Sequence, residues 1–249
     1  MRHARTRKSS WLTSAVGVLG ELMITAGLLI AGYIVWNVWW DSNQSAALAQ
    51  EQVREFYAAI PEAPRVEAEL ITEGEPPVSE PVGHGQTMGV LIVPKWYNKT
   101  NNTMPIREGT TPDVLDQAAA GHYRDTAQIG EVGNFALAGH RRTHGNSFRF
   151  INLLEKGDQV IVETKDWWYV YEVTSHKLVL PTQTEVIAPV PDKPGEQPTE
   201  RMLTMTTCHS VTAGEWGNDH RWITHGKLVG WMDRSLGMPE QVLMDPEVL

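Results

Sequence analysis

The 249-residue chain carries 21 basic and 30 acidic side chains for a formal net charge of -9, with 41% hydrophobic residues and one cysteine. A single thiol excludes an intrachain disulfide and any zinc site built on two or four cysteines, and the acidic balance argues against nucleic acid as a partner, because phosphate binding draws on clustered Lys and Arg. The length is enough for one domain with its own core and roughly 100 residues of accessory sequence.

The charge is divided along the chain. Arg2, Arg5, Arg7 and Lys8 precede the first apolar run, and Glu21 is the one formal charge from Trp11 to Trp40, so residues 1–40 carry +3 and the remainder -12. Leu22 to Trp40 is an uncharged stretch of 19 residues. As a helix it would extend about 28 Å, matching a hydrocarbon core of roughly 30 Å. Basic residues before it, Asp41 after it and Trp36, Trp39 and Trp40 at its end predict a transmembrane anchor over residues 11–40, with residues 1–10 as a cytoplasmic basic tail and the rest outside the cell. Ala47-Leu48-Ala49 has the small-x-small pattern of a cleavage site, but it lies far beyond the end of a run too long for an ordinary signal peptide. Glu21, one turn inside the cytoplasmic end, is left without a role.

Residues 41–60 read as a helical stalk: Ala46 to Ile60 has helix-forming composition, and Pro61 ends it. From there to residue 86, Pro61, Pro64, Pro76, Pro77 and Pro81 with several acids predict a solvated linker. Residues 87–235 change texture to short β-rich runs: Met88 to Val93, Asn134 to Gly139, Gln159 to Thr164, Trp168 to Val173, Lys177 to Leu180, Arg201 to Thr207 and Arg221 to Trp231. Runs at this spacing suggest a sandwich or a barrel. Thr111-Pro112-Asp113 caps one helix predicted over Thr111 to Gly121. Ala188 to Glu200 is too rich in Pro and Gly to be strand, and 236–249 is a polar tail.

Cys208 closes the strand-like run Leu203-Thr204-Met205-Thr206-Thr207-Cys208. A strand end holds a side chain rigidly and leaves it open to a cleft, which a nucleophile needs, although a lone cysteine is more often a small buried hydrophobe. A thiol of pKa about 8.5 also needs a partner to be mostly reactive near neutral pH. His140 is the best placed of nine histidines, because it too follows an apolar strand. His140 and His144 have the spacing of a helical metal pair, but HRRTH lacks the glutamate of HExxH and its glycine flanks oppose a helix; a zinc set of His140, His144, Cys208 and His209 rests on ligand type alone. Arg221, 13 positions after the cysteine, begins the next strand and brings a planar set of donors suited to a carbonyl or an oxyanion.

Together these residues resemble the sortase family of surface transpeptidases: the LTxTC core of its signature at Leu203 to Cys208, Gly139-His140 after an apolar strand, and Arg221 in the family's order. Gly121-His122-Tyr123, Ala138-Gly139-His140-Arg141 and Cys208-His209 look most like the class E, housekeeping-type members. Ser210 departs from the proline found there in many of them, and Trp216 and Asp219 in the following loop have no assignment. The resemblance implies a mainly β fold, a closed eight-stranded barrel with short helices behind one transmembrane helix. It implies catalysis by Cys208, His140 and Arg221, with Tyr123 and Thr207 as substrate-binding residues, Tyr123 favouring alanine in the second position of an LAxTG signal. No cofactor and no metal are expected. The implied partners are secreted proteins bearing C-terminal sorting signals, cleaved between Thr and Gly through a thioacyl intermediate, and a lipid-linked peptidoglycan precursor as amine acceptor. A pilin-polymerising enzyme is the alternative, disfavoured by the missing Asp-Pro-aromatic lid and the polar tail. A noncatalytic membrane-tethered binding module with a buried Cys208 is the second.

Overall fold

A computed structural model describes residues 11–99, 102–212 and 217–244. Its strands are β1 (Thr87–Ile92), β2 (Thr103–Glu108), β3 (Ala120–His122), β4 (Gly133–Ala138), β5 (Gln159–Glu163), β6 (Trp167–Val179), β7 (Arg201–His209) and β8 (His220–Asp233), with helices α1 (Trp11–Ala58), α2 (Pro112–Leu115) and α3 (Glu240–Leu243). The strands close into a barrel in the order β1-β2-β3-β4-β7-β8-β6-β5. Two contacts are parallel, β2 with β3 and β4 with β7; the others are antiparallel.

The chain divides into two compact units at Asp41 and Ser42. In the first, α1 exposes Leu22, Ile24, Leu28, Leu29, Ile30 and Val35. The helix is long and apolar enough to cross a membrane, with a mean hydropathy of 2.0 over its best window.

In the second unit, Leu91, Met104, Ile106, Phe135, Leu137, Val162, Tyr171, Leu203 and Met205 fill the barrel. Alternate residues of β1, β5 and β6 point outward, yet Val90, Ile92, Ile161, Trp168 and Val170 are also buried, under Val53, Ala63, Met238 and Val242. Strands covered on both faces need apolar residues at every position, which explains the unbroken run MGVLIV.

The cover comes from the segments expected to be stalk and linker and from Met238 and Val242 of the segment expected to be a polar tail. Residues 61–86 keep most side chains exposed, as expected of a linker, but are fastened along the barrel as a strap by backbone hydrogen bonds. Ile71 and Trp231 exchange backbone hydrogen bonds of 2.8 and 3.0 Å, Met238 N donates to Val66 O at 2.9 Å, and Ser79 N donates to Ile129 O at 3.0 Å. Tyr169 donates its hydroxyl to Pro77 O at 2.8 Å. Prolines suit such a strap, since their missing N–H groups leave no ladder bond unmade. A buried ionic cluster fastens it: Arg234 Nε donates to Glu163 Oε1 at 2.6 Å, Tyr57 donates to Glu163 Oε2 at 2.7 Å, and the Arg234 guanidinium also reaches Pro61 O. Burial pushes the Glu163 carboxyl upward against the opposing pull of Arg234 and Tyr57.

Three local expectations differ from the structure. β2 contains Pro105, which lowers its strand signal, and β3 has three residues behind an alanine run that reads as helix; both were missed. The helix expected over 111–121 stops at Leu115, and Ala118 lies at φ 56°, which turns the chain into β3. The two expected strands between Trp168 and Leu180 are one strand, β6, with register shifts at Val170/Tyr171 and Val173/Ser175.

Arg234→Ala leaves the Glu163 carboxyl buried without its ion pair, and denaturant unfolding should show a loss of about 3–5 kcal/mol. Tyr57→Phe, which removes one hydrogen bond, should cost about 1–2 kcal/mol. Equal, negligible effects would contradict the clamp.

Candidate active site

The ladder of β4, β7 and β8 sets out the site. Along β7, Leu203 and Met205 point into the barrel, so Thr204, Thr206 and Cys208 stand on the outer face. Cross-strand partners continue this face: Thr204 lies opposite His225, Thr206 opposite Ile223 and Cys208 opposite Arg221. Side chains on such opposed positions start about 4.5–5.5 Å apart. On the other side β4 runs parallel, with Ala136 beside Thr204 and Ala138 beside Thr206. Gly139 N donates to Thr206 O at 3.1 Å, extending the ladder one step, so that His140 follows level with Cys208. Cys208 is a free, half-buried thiol.

His140 is held by its neighbours. Its Nε2 lies 2.8 Å from Asp116 Oδ1, at the end of α2, and its backbone carbonyl accepts from Phe148 N at 2.8 Å, closing the loop 140–148. The Phe148 ring packs flat against Gly139, leaving no room for a Cβ there. HRRTH is a loop and not a helix, as its glycines foretold, and the His140 and His144 rings lie 5.0 Å apart.

Arg221 is anchored by one nitrogen. Its Nη1 donates to Asn218 O at 3.0 Å and His220 O at 2.9 Å. Among the described residues its Nε and Nη2 protons are left for another acceptor. Asp219 braces the preceding loop by accepting from Val211 N at 3.0 Å and Thr212 N at 3.1 Å, and bonding to the Thr212 hydroxyl first among these holds its carboxyl far below the usual range. Trp216, the other unassigned residue of that loop, lies outside the described residues. Arg141 donates to His209 Nδ1, so His209 is a neutral acceptor; burial, then the charges of Arg141 and Arg142, lower its affinity for a proton.

One wall of the outer face is tied by a directed chain of hydrogen bonds. Asn134 Nδ2 donates to Val186 O and Ala188 O at 3.3 and 3.0 Å, and its Oδ1 accepts from Thr204 at 2.7 Å. The Thr204 hydroxyl proton is thereby used, so at 2.9 Å His225 Nδ1 must be the donor to Thr204 Oγ1. Burial pushes His225 down to about 4, consistent with a neutral ring. Val179, Val186 and Ile223, with Ile187 against them, form a small buried apolar cluster on the same wall.

Comparison with known proteins decides the family. A family model described as Sortase domain matches residues 97–229. The chain belongs to the sortase family. Sortase SrtE1 of Streptomyces coelicolor is 34% identical over 249 residues, which is 97% of this chain and 65% of that protein, so the chain spans about two thirds of that relative's length. Sortase SrtE2 of the same organism is 32% identical, covering 90% of this chain and 86% of that one. Among solved structures, the SrtA sortase from Actinomyces oris is 67% identical with a TM-score of 0.66, covering 69% of this chain and 95% of that chain. Sortase E from Streptomyces avermitilis is 35% identical with a TM-score of 0.56 over 65% of this chain and 99% of that one. The closed eight-stranded barrel is the sortase fold, the likeness is to class E, and sortases are cysteine transpeptidases.

In this sortase Thr207 does not face the groove. Its side chain points inward, it is buried, and its hydroxyl donates to Gly139 O at 2.6 Å. This corrects its assignment as a substrate contact: it fixes the residue before His140. Tyr123 does reach the outer face, its hydroxyl 3.0 Å from Thr206 Oγ1. The histidine before it is structural, buried with Nδ1 2.7 Å from Glu108 and Nε2 3.1 Å from Ala127 O. Gly121 is required because a Cβ there would run into Gly109 O and Leu115. Asp116, Asn134 and His225 were not singled out from the sequence. Asp116 ends an ordinary capped helix 24 residues before His140, and nothing in the intervening pattern links the two.

Thr207→Val should lower kcat with little change in KM, because a buried carbonyl loses its donor at a cost of about 1–3 kcal/mol, while Thr207→Ser should restore it. A KM effect alone would return Thr207 to substrate binding. His225 has its proton affinity lowered on folding, so the unfolded chain binds more protons between about pH 6.5 and 4. Stability should therefore be lost as pH falls through that window, and His225→Gln should flatten the slope in pH-dependent denaturation.

Proposed function

We propose that the chain is a membrane-anchored transpeptidase that cleaves an LAxTG- or LPxTG-like sorting signal between Thr and Gly and transfers the new carboxyl end to an amine of a peptidoglycan precursor. The observation that carries this reading is the placement of Cys208, His140 and Arg221 together at one end of the outer β4-β7-β8 face.

The chemistry follows from the groups. The Cys208 thiolate attacks the Thr carbonyl carbon, and the C=O electron pair moves to oxygen, where Arg221 Nε and Nη2 can donate to the oxyanion. The C–N bond to Gly then breaks, and the leaving amine takes a proton from His140. The thioacyl enzyme is attacked by the incoming amine, which gives a proton to His140 as the thiolate departs, so both partners return to their starting states. Asp116 keeps the His140 ring oriented through both transfers. Tyr123, whose hydroxyl lies beside Thr206 on the outer face, is suited to reading the side chains upstream of the cleaved bond. The apolar helix with its basic leading residues supports a single-pass anchor with a cytoplasmic N-terminus and an extracellular barrel, where secreted substrates and lipid-linked precursor arrive.

Incubation of the full chain in detergent with LAxTG and LPxTG peptides should give a thioacyl adduct on Cys208 by mass spectrometry, lost in Cys208→Ala. Neither adduct nor cleavage with either peptide would sink the reading. The kcat/KM profile should be bell-shaped and belong to the Cys208–His140 pair; a flat line between about pH 5 and 10 would count against it. Asp116→Asn should reduce kcat about tenfold with KM little changed, as expected when an acid–base group loses its orientation.

A further inference from the structure

Asp116, His140 and His144 come from two loops that meet beside the thiol, and their three ligand atoms all lie within 4.8 Å of one another. Asp116 Oδ1 is the shared centre, 2.8 Å from His140 Nε2 and 3.7 Å from His144 Nε2. Zinc bonds of about 2.0–2.2 Å at tetrahedral angles hold donor atoms about 3.3–3.5 Å apart. The two observed spacings straddle that value, so small side-chain rotations suffice to admit an ion. Both rings and the carboxylate are partly exposed, at 27%, 30% and 40%. A fourth position is thus open to water.

The backbone holds the ligands in place. His144 lies at φ 50° and Gly145 at φ 81°, and the Gly145 Cα is set so closely against Ala118 and Ala46 that a side chain would collide with both. Asp116 ends α2, and the next residue, Gln117, is tied by Gln52 and Arg107 at 2.6 Å each. Two imidazoles and one carboxylate suit a borderline ion such as Zn2+, Co2+ or Cu2+ and not Ca2+ or Mg2+, which take oxygen ligands.

We propose that Asp116, His140 and His144 form a two-histidine, one-carboxylate site for a divalent transition-metal ion, and that an ion bound there silences the transpeptidase. With Nε2 giving its lone pair to the metal, the ring can no longer become an imidazolium, so Nδ1 has no acidic proton to give the leaving amine. The ion also displaces the hydrogen bond by which Asp116 orients the ring. This differs from the set suggested by ligand type alone: Cys208 and His209 are not members, and His209 Nδ1 is already engaged by Arg141. The silencing rests on the acid–base role proposed for His140, whereas the binding does not.

Isothermal titration of the full chain in detergent with Zn2+ should show one site per chain, and Co2+ should give the visible absorption bands of a four-coordinate ion. His144→Ala should weaken Zn2+ about 10–100-fold while keeping wild-type transfer in metal-free buffer, which also reports its folding. Cys208→Ala should bind Zn2+ as the wild type does. Added Zn2+ should suppress thioacyl formation in the wild type and require a correspondingly higher concentration in His144→Ala. The proposal is overturned if His144→Ala binds or is inhibited like the wild type. It is equally overturned if Cys208→Ala abolishes binding, since the thiolate is then the ligand. Failure to form a thioacyl adduct without metal would instead defeat the transpeptidase reading, and the titrations would still decide the site.

Discussion

The parallel pairing of β4 with β7 is the constraint on which the site depends. In this register Ala138 sits beside Thr206, and the ladder's last step, Gly139 to Thr206, delivers His140 level with Cys208. A parallel pair cannot be joined by a tight turn, so β5 and β6 must intervene, and they are the strands that complete the barrel. The antiparallel neighbour β8 then supplies Arg221 opposite the thiol. Three residues separated by up to 81 positions are brought together by ladder hydrogen bonds whose register a one-step slip would destroy. Thr207 ties the same place again from inside, through Gly139 O.

The second organising fact is burial on both faces of β1, β5 and β6. A barrel whose outer wall is apolar must be covered, and residues 42–58 of α1 with the strap after them provide the cover. Glu163 sits at the seam, where an unpaired carboxylate would be costly, and Arg234 and Tyr57 meet it from the two ends of the covering layer. The same covering helix reaches the site's supports: Gln52 bonds Gln117, next to Asp116, and Ala46 packs against Gly145, next to His144. The candidate site and residues 42–58 of α1 are therefore parts of one packing arrangement within the second unit.

What could be read in the sequence followed from strong, local patterns. LTMTTC ends a strand because alternation puts Leu203 and Met205 inside and its cysteine at the open end, and that was legible, as were Gly139-His140 and Arg221. The membrane-length helix was legible from an uncharged run alone. Thr207 was expected to contact substrate from the family resemblance, whereas alternation along β7 turns it inward onto Gly139 O. The strap's exposed prolines and acids were legible as linker, but its fastening to the barrel was not, because contacts made by backbone N–H and C=O groups leave no compositional mark. Asp116 was invisible for a related reason: its meeting with His140 is made by a loop closure, not by a periodic pattern. The directed chain from Asn134 through Thr204 to His225 likewise joins three strands that are far apart in sequence.

The barrel's closure has a further consequence. Because β1 pairs with β5, the sheet closes on itself, and open edges are reduced to short stretches such as Ser175–Val179 of β6, which pair with β8 beyond the end of β5. Many proteins that take hold of an extended peptide do so by letting it join a sheet as one more strand, an interaction with the peptide's backbone that tolerates many sequences. Closure leaves this barrel little edge to lend. On the function proposed above, a peptide approaching Cys208 would meet the outward side chains of β4, β7 and β8 and the loop anchored by Asn134. Recognition would then fall to the peptide's side chains more than to its backbone, which favours a short signature over extended chains at large.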